Sequence, residues 1–292
     1  MNKRNLLLSA FILSFSGCVL MTGCNNKKQE ANMCDTLQVE TLSVDTTVFT
    51  RQGSESPSCK LELKLAFLQP ATDTTAMRIN RAILSKAFSP AFAQMKPEQF
   101  IKAISDTLIS HHRADISEFL EEDLKNGIQA KDVPTWYNYE YDLKSTLTPG
   151  LADRIWNYVL TDFRQTGGAH PNTIKTYLNI EAATGKVLAK QDVFVPESDK
   201  ALEPIIIQKL AEHLNRLEGQ DLQVPATLQG LRDAGLFLEA DPYIPENFML
   251  GKDEVVLYYN RYEIACYAAG DFEITLPLAD VKKYLINFNE QK

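Results

Sequence analysis

From position 60 to 67 apolar and charged residues alternate. Leu61, Leu63, Leu65 and Phe67 share one side, and Lys60, Glu62 and Lys64 the other. A period of two is the repeat of a half-buried β-strand, and Pro70 ends it. The repeat returns at Tyr137, Tyr139, Tyr141 and Leu143, opposed by Asn138, Glu140, Asp142 and Lys144, and predicts a half-buried antiparallel strand over 136–145. A tyrosine row of this kind is usually core with its hydroxyls reaching solvent; its other use is as a platform for stacking carbohydrate. Looser alternation over 37–49 predicts an earlier strand, and 51–58 reads as a loop.

Between these runs the spacing becomes helical. Asp73 or Thr74 can cap a helix over 75–88, with Met77, Ile79, Ala82, Ile83 and Ala87 near helical spacing. Pro97 suits a first helical turn and opens a longer helix to about 126. Its stripe is Phe100, Ile104, Leu108, Ile116, Phe119, Leu120 and Leu124, with Gly127 as the stop. His111 and His112 fall on its polar flank and are both expected at the surface.

The second half turns around Thr166-Gly167-Gly168-Ala169-His170-Pro171-Asn172-Thr173. A strand over 153–164 enters this stretch and an alternating strand over 174–180 leaves it. Two glycines permit positive φ, and Pro171 holds His170 extended, so the histidine is presented at a bend between strands. Ala183-Thr184-Gly185-Lys186 predicts another hairpin turn before Val187 and Leu188, giving a meander. Asp199 can cap a helix to about 217. Residues 219–246 are irregular, with a short helix over 227–234. Phe248-Met249-Leu250 and 254–259 make a hairpin, 273–276 a last strand and 278–285 a short helix. Strands, two helices, a meander, a helix and closing strands give an α+β fold: an antiparallel sheet meander packed with a few helices.

The first residues change this picture. Lys3 and Arg4 precede an apolar run over 6–20 that is too short for a stable membrane span. It ends in Leu20-Met21-Thr22-Gly23-Cys24 before a polar run, and small residues before a cysteine resemble a bacterial lipoprotein signal. Residues 1–23 are therefore expected to be a signal peptide and 24–37 a flexible tether. Cys24 is the lipidated residue that anchors the chain to a membrane, preferred over Cys18. Signal cleavage removes two basic and no acidic residues, so 28 Lys+Arg remain against 38 Asp+Glu and the net charge moves from −8 to −10. That balance argues against a nucleic-acid partner and suits a cationic one. A Cys34–Cys59 disulfide is compatible with an oxidising compartment, with Cys266 then expected as a free, buried thiol. No CxxC pair or Cys/His spacing points to a metal.

The 166–173 stretch, the Thr184-Gly185-Lys186 turn, Asp192-Val193-Phe194 and the closing Tyr258-Tyr259-Asn260-Arg261-Tyr262-Glu263-Ile264-Ala265-Cys266-Tyr267-Ala268-Ala269-Gly270 occur in an order that resembles the RsiV-like family, the domain of unknown function 3298. Residues from about 59 to 126 are similar to its usual N-terminal companion, the PdaC/SigV-like domain. The resemblance implies an N-terminal domain over 38–148 and an RsiV-like domain over 149–292, packed as one unit. It also implies the bacterial cell envelope, with a lysozyme-like protein or cell-wall glycan as partner. Members of that family include the extracytoplasmic part of an anti-sigma factor that binds lysozyme and a non-catalytic module attached to peptidoglycan deacetylases. The sequence departs from both, showing no transmembrane helix with a sigma-binding segment and no deacetylase catalytic domain, and most resembles the stand-alone lipoprotein members.

Gly168, His170, Tyr262, Glu263 and Tyr267 are the candidate partner-binding residues. His170 could act as a general base only beside an acid, with Asp162 or Glu263 as the candidates; the preferred reading has it bonding backbone to pin the hairpin. Glu263 can contact a ligand or satisfy loop amides. No nucleophile elbow, phosphate loop, HExxH or dinucleotide fingerprint occurs, so no catalytic, cofactor-binding or metal-binding residue is assigned. The reading is a non-catalytic, lipid-anchored envelope protein that binds a macromolecular partner and faces the periplasm. The alternatives are a glycan- or peptide-processing enzyme using His170, and a structural envelope protein.

Overall fold

The two alternating runs lie side by side at the centre of the larger sheet. In the computed structural model, which describes residues 37–51, 57–70, 72–129, 132–217 and 223–286, β1 (Gln38–Phe49), β2 (Ser58–Gln69), β3 (Tyr139–Pro149), β4 (Ile155–Gln165), β5 (Asn172–Glu181) and β6 (Val187–Leu188) follow one another across a six-stranded sheet. Leu61, Leu63, Leu65 and Phe67 are fully buried, and Tyr139, Tyr141 and Leu143 continue the same apolar face on β3. The opposite face carries Lys60–Glu140, Lys64–Glu62 and Lys144–Asp142 ion pairs in solvent. Pairs this exposed contribute at most about 1 kcal/mol each, so the apolar face sets the register.

One pairing departs from the antiparallel expectation. β2 and β3 run parallel, with Leu61 opposite Tyr141 and Leu63 opposite Leu143. Two helices, α1 (Thr74–Ile83) and α2 (Pro97–Lys125), carry the chain back to the end where β2 began, and a crossover of that length delivers a parallel neighbour. Every other pairing in the two sheets is antiparallel. The expected domain limit at 148–149 falls at the end of β3, which pairs with β4 throughout its length.

Local rules placed the helices. Asp73 Oδ1 accepts from the amides of Thr75 and Ala76 at 2.7 and 3.1 Å, and α1 gives way at Leu84 to a five-residue π turn. Pro97 opens α2 as its first residue. The buried stripe of α2 runs Phe100, Ile104, Leu108, His112, Ile116, Leu120, a step of four, and His112 occupies it. Only His111 is at the surface. His112 Nε2 lies 2.8 Å from the Tyr137 carbonyl, which can only accept, so this nitrogen carries the hydrogen. Phe119, expected in the stripe, is 52% exposed and meets Trp136 edge-on at 5.5 Å.

A second core lies under the three-stranded sheet of β7 (Phe248–Leu250), β8 (Glu254–Tyr259) and β9 (Phe272–Pro277). The chain reaches it through α3 (Lys190–Val193), α4 (Ser198–Leu214) and α5 (Leu228–Asp233), and α6 (Leu278–Val281) follows β9. Leu202, Ile206 and Leu210 of α4 pack with Leu257, Phe272 and Ile274. After the exposed Glu254 the β8 run is apolar because both of its faces are covered: Val255, Leu257 and Tyr259 face this core, while Val256 and Tyr258 meet Tyr177 of β5. Asp199 does not cap α4. Its carboxylate accepts from the Ile244 amide at 2.8 Å and pairs with Lys190 at 2.7 Å, holding the irregular stretch before β7.

Asparagines join the two sheets. The Asn179 side chain, 2% exposed, bonds the Phe248 carbonyl and the Leu250 amide of β7 at 2.8 and 2.7 Å. Asn247 returns the arrangement, bonding the Lys175 carbonyl and the Tyr177 amide of β5 at 2.8 and 2.7 Å. Asn260 takes the Lys175 amide at 2.9 Å and its carbonyl at 3.1 Å, and Asn157 donates to the Leu250 carbonyl at 2.8 Å. Asn179, Asn247 and Asn260 each use one donor and one acceptor, as the peptide of a neighbouring strand would, whereas Asn157 uses its donor alone and its Oδ1 is buried without a partner. Gly150 belongs to this junction, because a Cβ there would sit 2.3 Å from the Leu250 carbonyl oxygen.

Cys59 is a free, fully buried thiol that burial pushes up to about 11, and its candidate partner Cys34 lies outside the described residues. Cys24, the signal segment 1–23 and residues 24–36 also lie outside them. No helix among the described residues is long and apolar enough to cross a membrane.

Two outcomes follow from these contacts. Asn247→Leu removes both bonds to β5 and strands the part-buried Tyr177 amide, while the Lys175 carbonyl keeps its bond from Asn260, so urea unfolding should show a loss of about 1–3 kcal/mol. A loss under about 0.5 kcal/mol would mean the carboxamide does not hold the junction. Burial lowers the pKa of both His112 and His213, so the unfolded chain binds more protons than the folded one below the ordinary histidine value. Stability is therefore full above about pH 7 and falls as the pH drops toward 5. His112→Gln, which keeps a donor for the Tyr137 carbonyl, should shrink that fall; an unchanged slope would refute the assignment.

Candidate functional site

The β4–β5 hairpin and the loop after β8 meet at the open end of β5. Beyond the two residues paired with β6, the outer edge of β5 at Tyr177 and Lys175 is covered by Asn247 and Asn260. Past that point an open cleft of about 580 Å³ begins. Its walls are His170, Pro171, Asn172, Thr173 and Ile174 from the hairpin, and Asn260, Arg261, Tyr262 and Tyr267 from the loop.

The hairpin is shaped by Gly167, not by both glycines. Gly167 has φ +79°, and a Cβ there would lie 2.8 Å from the Trp136 carbonyl oxygen, so the position is closed to any side chain. Gly168 does not have positive φ; it is exposed at the tip and only its carbonyl is used, by Gln165 at 3.4 Å. The hairpin leans on Trp136, which is 40% exposed.

The facing loop is a four-residue turn closed by the Glu263 amide on the Asn260 carbonyl at 3.1 Å. Glu263 Oε2 accepts from the Asn260 amide at 2.9 Å, and Oε1 from the Tyr243 hydroxyl at 3.2 Å. Of the two roles open to this carboxylate, it holds the turn. What it holds is Tyr262, at φ +68° and 70% exposed. A tyrosine in left-handed backbone costs about 1–2 kcal/mol relative to its ordinary conformations.

Rings converge on Tyr267. Its hydroxyl donates to the Pro171 carbonyl at 2.8 Å, tying loop to hairpin. His170 stacks on it with centroids 5.0 Å apart and planes 20° from parallel, Tyr262 lies 5.5 Å away, and the Arg261 guanidinium sits 4.7 Å from the ring centre. Arg261 Nε is shut off from water with no hydrogen-bond partner. The nearest carboxylate oxygen, Asp271 Oδ1, stands 4.0 Å away, and Asp271 accepts the Tyr258 hydroxyl.

Three of the five residues singled out from sequence, His170, Tyr262 and Tyr267, thus line one cleft; Glu263 stands behind it and Gly168 beside it. Among the described residues His170 neither bonds backbone nor meets an acid. Asp162 is taken by Arg164 in two bonds of 2.8 and 2.6 Å, and Glu263 by the turn, so the acid–base pairings expected of an enzyme are not formed. Cys266 is exposed, not buried, because the loop before β9 carries it along the surface. Arg261 and Ile174 escaped the sequence reading. Ile174, 47% exposed, looked like strand core because its alternation was right, and nothing beside Arg261 marked it as unpaired. Among the described residues no cluster of His, Cys, Asp or Glu could hold a metal ion.

The strain on Tyr262 yields a test. Tyr262→Gly removes the conformational cost and a ring with little buried contact, so stability should stay within about 0.5 kcal/mol of the parent or rise by up to about 1 kcal/mol. A loss above 2 kcal/mol in urea unfolding would mean the ring is structural.

Residues 191–279 match the model of a family described as a protein of unknown function, DUF3298. The match takes in Arg261, Tyr262, Glu263 and Tyr267 and leaves out His170. No curated protein matches. Among solved structures, a member of the DUF3298 family from Bacteroides fragilis NCTC 9343 is similar over 86% of this chain and 94% of that one, with 26% identity and a TM-score of 0.73. A DUF3298 family protein from Pseudomonas aeruginosa PAO1 covers 87% of this chain and 96% of that one at 17% identity and a TM-score of 0.53, a likeness of fold alone.

Proposed function

We propose that this chain is a non-catalytic, lipid-anchored protein of the bacterial cell envelope, held through Cys24 and facing the periplasm, that binds a macromolecular partner with the cleft between the β4–β5 hairpin and the 260–267 loop. A PdaC/SigV-like N-terminal part and an RsiV-like C-terminal part belong to the same reading, and the partner is a lysozyme-like protein or cell-wall glycan.

The observation that carries the reading is Tyr262. A large aromatic side chain is kept exposed, at an unfavourable backbone angle, by a carboxylate devoted to the turn beneath it. Strain of this kind persists where it serves a site. The surroundings fit a contact surface: Ile174, Trp136 and Phe119 are also exposed apolar side chains near the hairpin, and aromatic residues are enriched where proteins meet partners. The chain's net charge of −8 favours encounter with a cationic partner and makes the rate of association sensitive to salt.

Calorimetric titration of the full chain with a c-type lysozyme, and separately with soluble wall-glycan fragments, should give saturable binding to one of them at physiological salt, weakened at least tenfold by Tyr262→Ala. Heat seen only at low salt would mean unspecific charge attraction, since a Debye length of about 8 Å screens it at physiological strength. That result, or silence with both partners, would overturn the proposal.

A further inference from the structure

The Arg261 guanidinium adds a chemical requirement to the cleft. It carries five N–H donors in a fixed fork. None makes a hydrogen bond within the described residues, and Nε is already stripped of water. The Arg261 ion pair with Asp271, 4.0 Å from Nε, is beyond hydrogen-bond reach, and leaving the donors of a charged group unsatisfied is costly. The cation is held in place by the face of Tyr267, 4.7 Å away, so it does not collapse onto Asp271. Nε is enclosed, so a ligand meets the terminal amino groups, and a carboxylate there accepts two parallel bonds from Nη1 and Nη2.

The rest of the cleft selects what bears that carboxylate. Tyr262 offers an exposed ring beside Arg261, and Ile174 and Pro171 supply apolar surface opposite. The negative face of an aromatic ring attracts the weakly positive C–H bonds on one side of a sugar ring. Asn172 and Thr173, whose side chains form no hydrogen bonds within the described residues, can serve sugar hydroxyls at the rim. A flat aromatic acid would use Tyr262 and Arg261 but leave Asn172 and Thr173 idle. A neutral sugar would leave Arg261 unpaired.

Resting on the binding reading above, we infer that the cleft is a subsite for a carboxylate-bearing sugar residue, its ring on Tyr262 and its carboxylate on Arg261. Such a residue occurs both in bacterial wall glycan stripped of its stem peptides, where the acid is a lactyl group, and in other glycans, where it is a uronic or sialic acid carboxylate.

The test is titration of the full chain, purified in a detergent without a sugar headgroup, with N-acetylmuramate, glucuronate and N-acetylneuraminate, followed by calorimetry or NMR. N-acetylglucosamine and glucose are the neutral controls. At least one acid should bind at least tenfold more tightly than its neutral counterpart, the scale of a hydrogen bond to a charged group, and which acid binds identifies the source. Arg261→Lys, which keeps the charge and loses the fork, should erase that preference, and Tyr262→Ala should weaken acid and neutral sugar alike. Equal binding of acids and neutral sugars, an undiminished preference in Arg261→Lys, or no binding of any sugar at 50-fold the concentration of protein that still binds a macromolecular partner through Tyr262 would overturn this inference and leave the binding proposal standing. Loss of every ligand would defeat both.

Discussion

Two sheet edges meet in this protein, and asparagine carboxamides satisfy both. A β-strand edge presents rows of N–H and C=O groups that must be paired, covered or left to water. Here Asn179 of β5 pairs the edge of β7, and Asn247, just before β7, pairs the edge of β5. The arrangement is reciprocal, so neither sheet can shift along the other without breaking bonds on both sides. It also explains why Gly150 is bare, since the β7 carbonyl at Leu250 comes within 2.3 Å of where its Cβ would be.

The cleft is a consequence of where that pairing stops. Asn260 is the last carboxamide on the β5 edge, and the turn that follows it carries Arg261 and Tyr262 directly past the hairpin. Tyr267 then closes the loop onto Pro171, which fixes the distance between the two walls. Junction and site therefore share residues: Asn260 bonds β5 with its side chain and receives Glu263 with its backbone amide. The binding surface is held by the same contacts that join the sheets, which suits a rigid, preformed site.

The polarity of the molecule divides in the same economical way. The solvent face of β2, β3 and β4 holds its charges in local pairs, whereas the cleft leaves one cation, Arg261, without a hydrogen-bonded partner. Paired charges on a wet surface do little beyond solubility. A part-buried guanidinium with no hydrogen-bonded partner beside stacked rings is a different environment, because partial burial raises the value of any anionic oxygen that reaches it.

Local chemistry determined much that needed no tertiary structure. The period-two runs on β2 and β3, the Asp73 cap, Pro97 at the head of α2 and the reversal at Gly167 follow from side-chain spacing and backbone limits alone, and together they gave the α+β class. His112 was misread as a surface residue, although the step of four from Leu108 to Ile116 passes through it. The remainder depended on residues far apart in sequence. The parallel pairing of β2 with β3 depends on the path of two helices, which strand patterns do not record. The partnership of Asn179 with β7 and of Asn247 with β5 joins positions some 70 apart, and an asparagine in a strand carries no local mark of the edge it will meet. The cleft was half visible: His170, Tyr262 and Tyr267 stood out as chemistry at bends, while Arg261 acquired meaning only when folding placed it on Tyr267 and out of bonding range of Asp271. Spacing decides which face a residue takes; only the packed chain decides which groups are left without a partner.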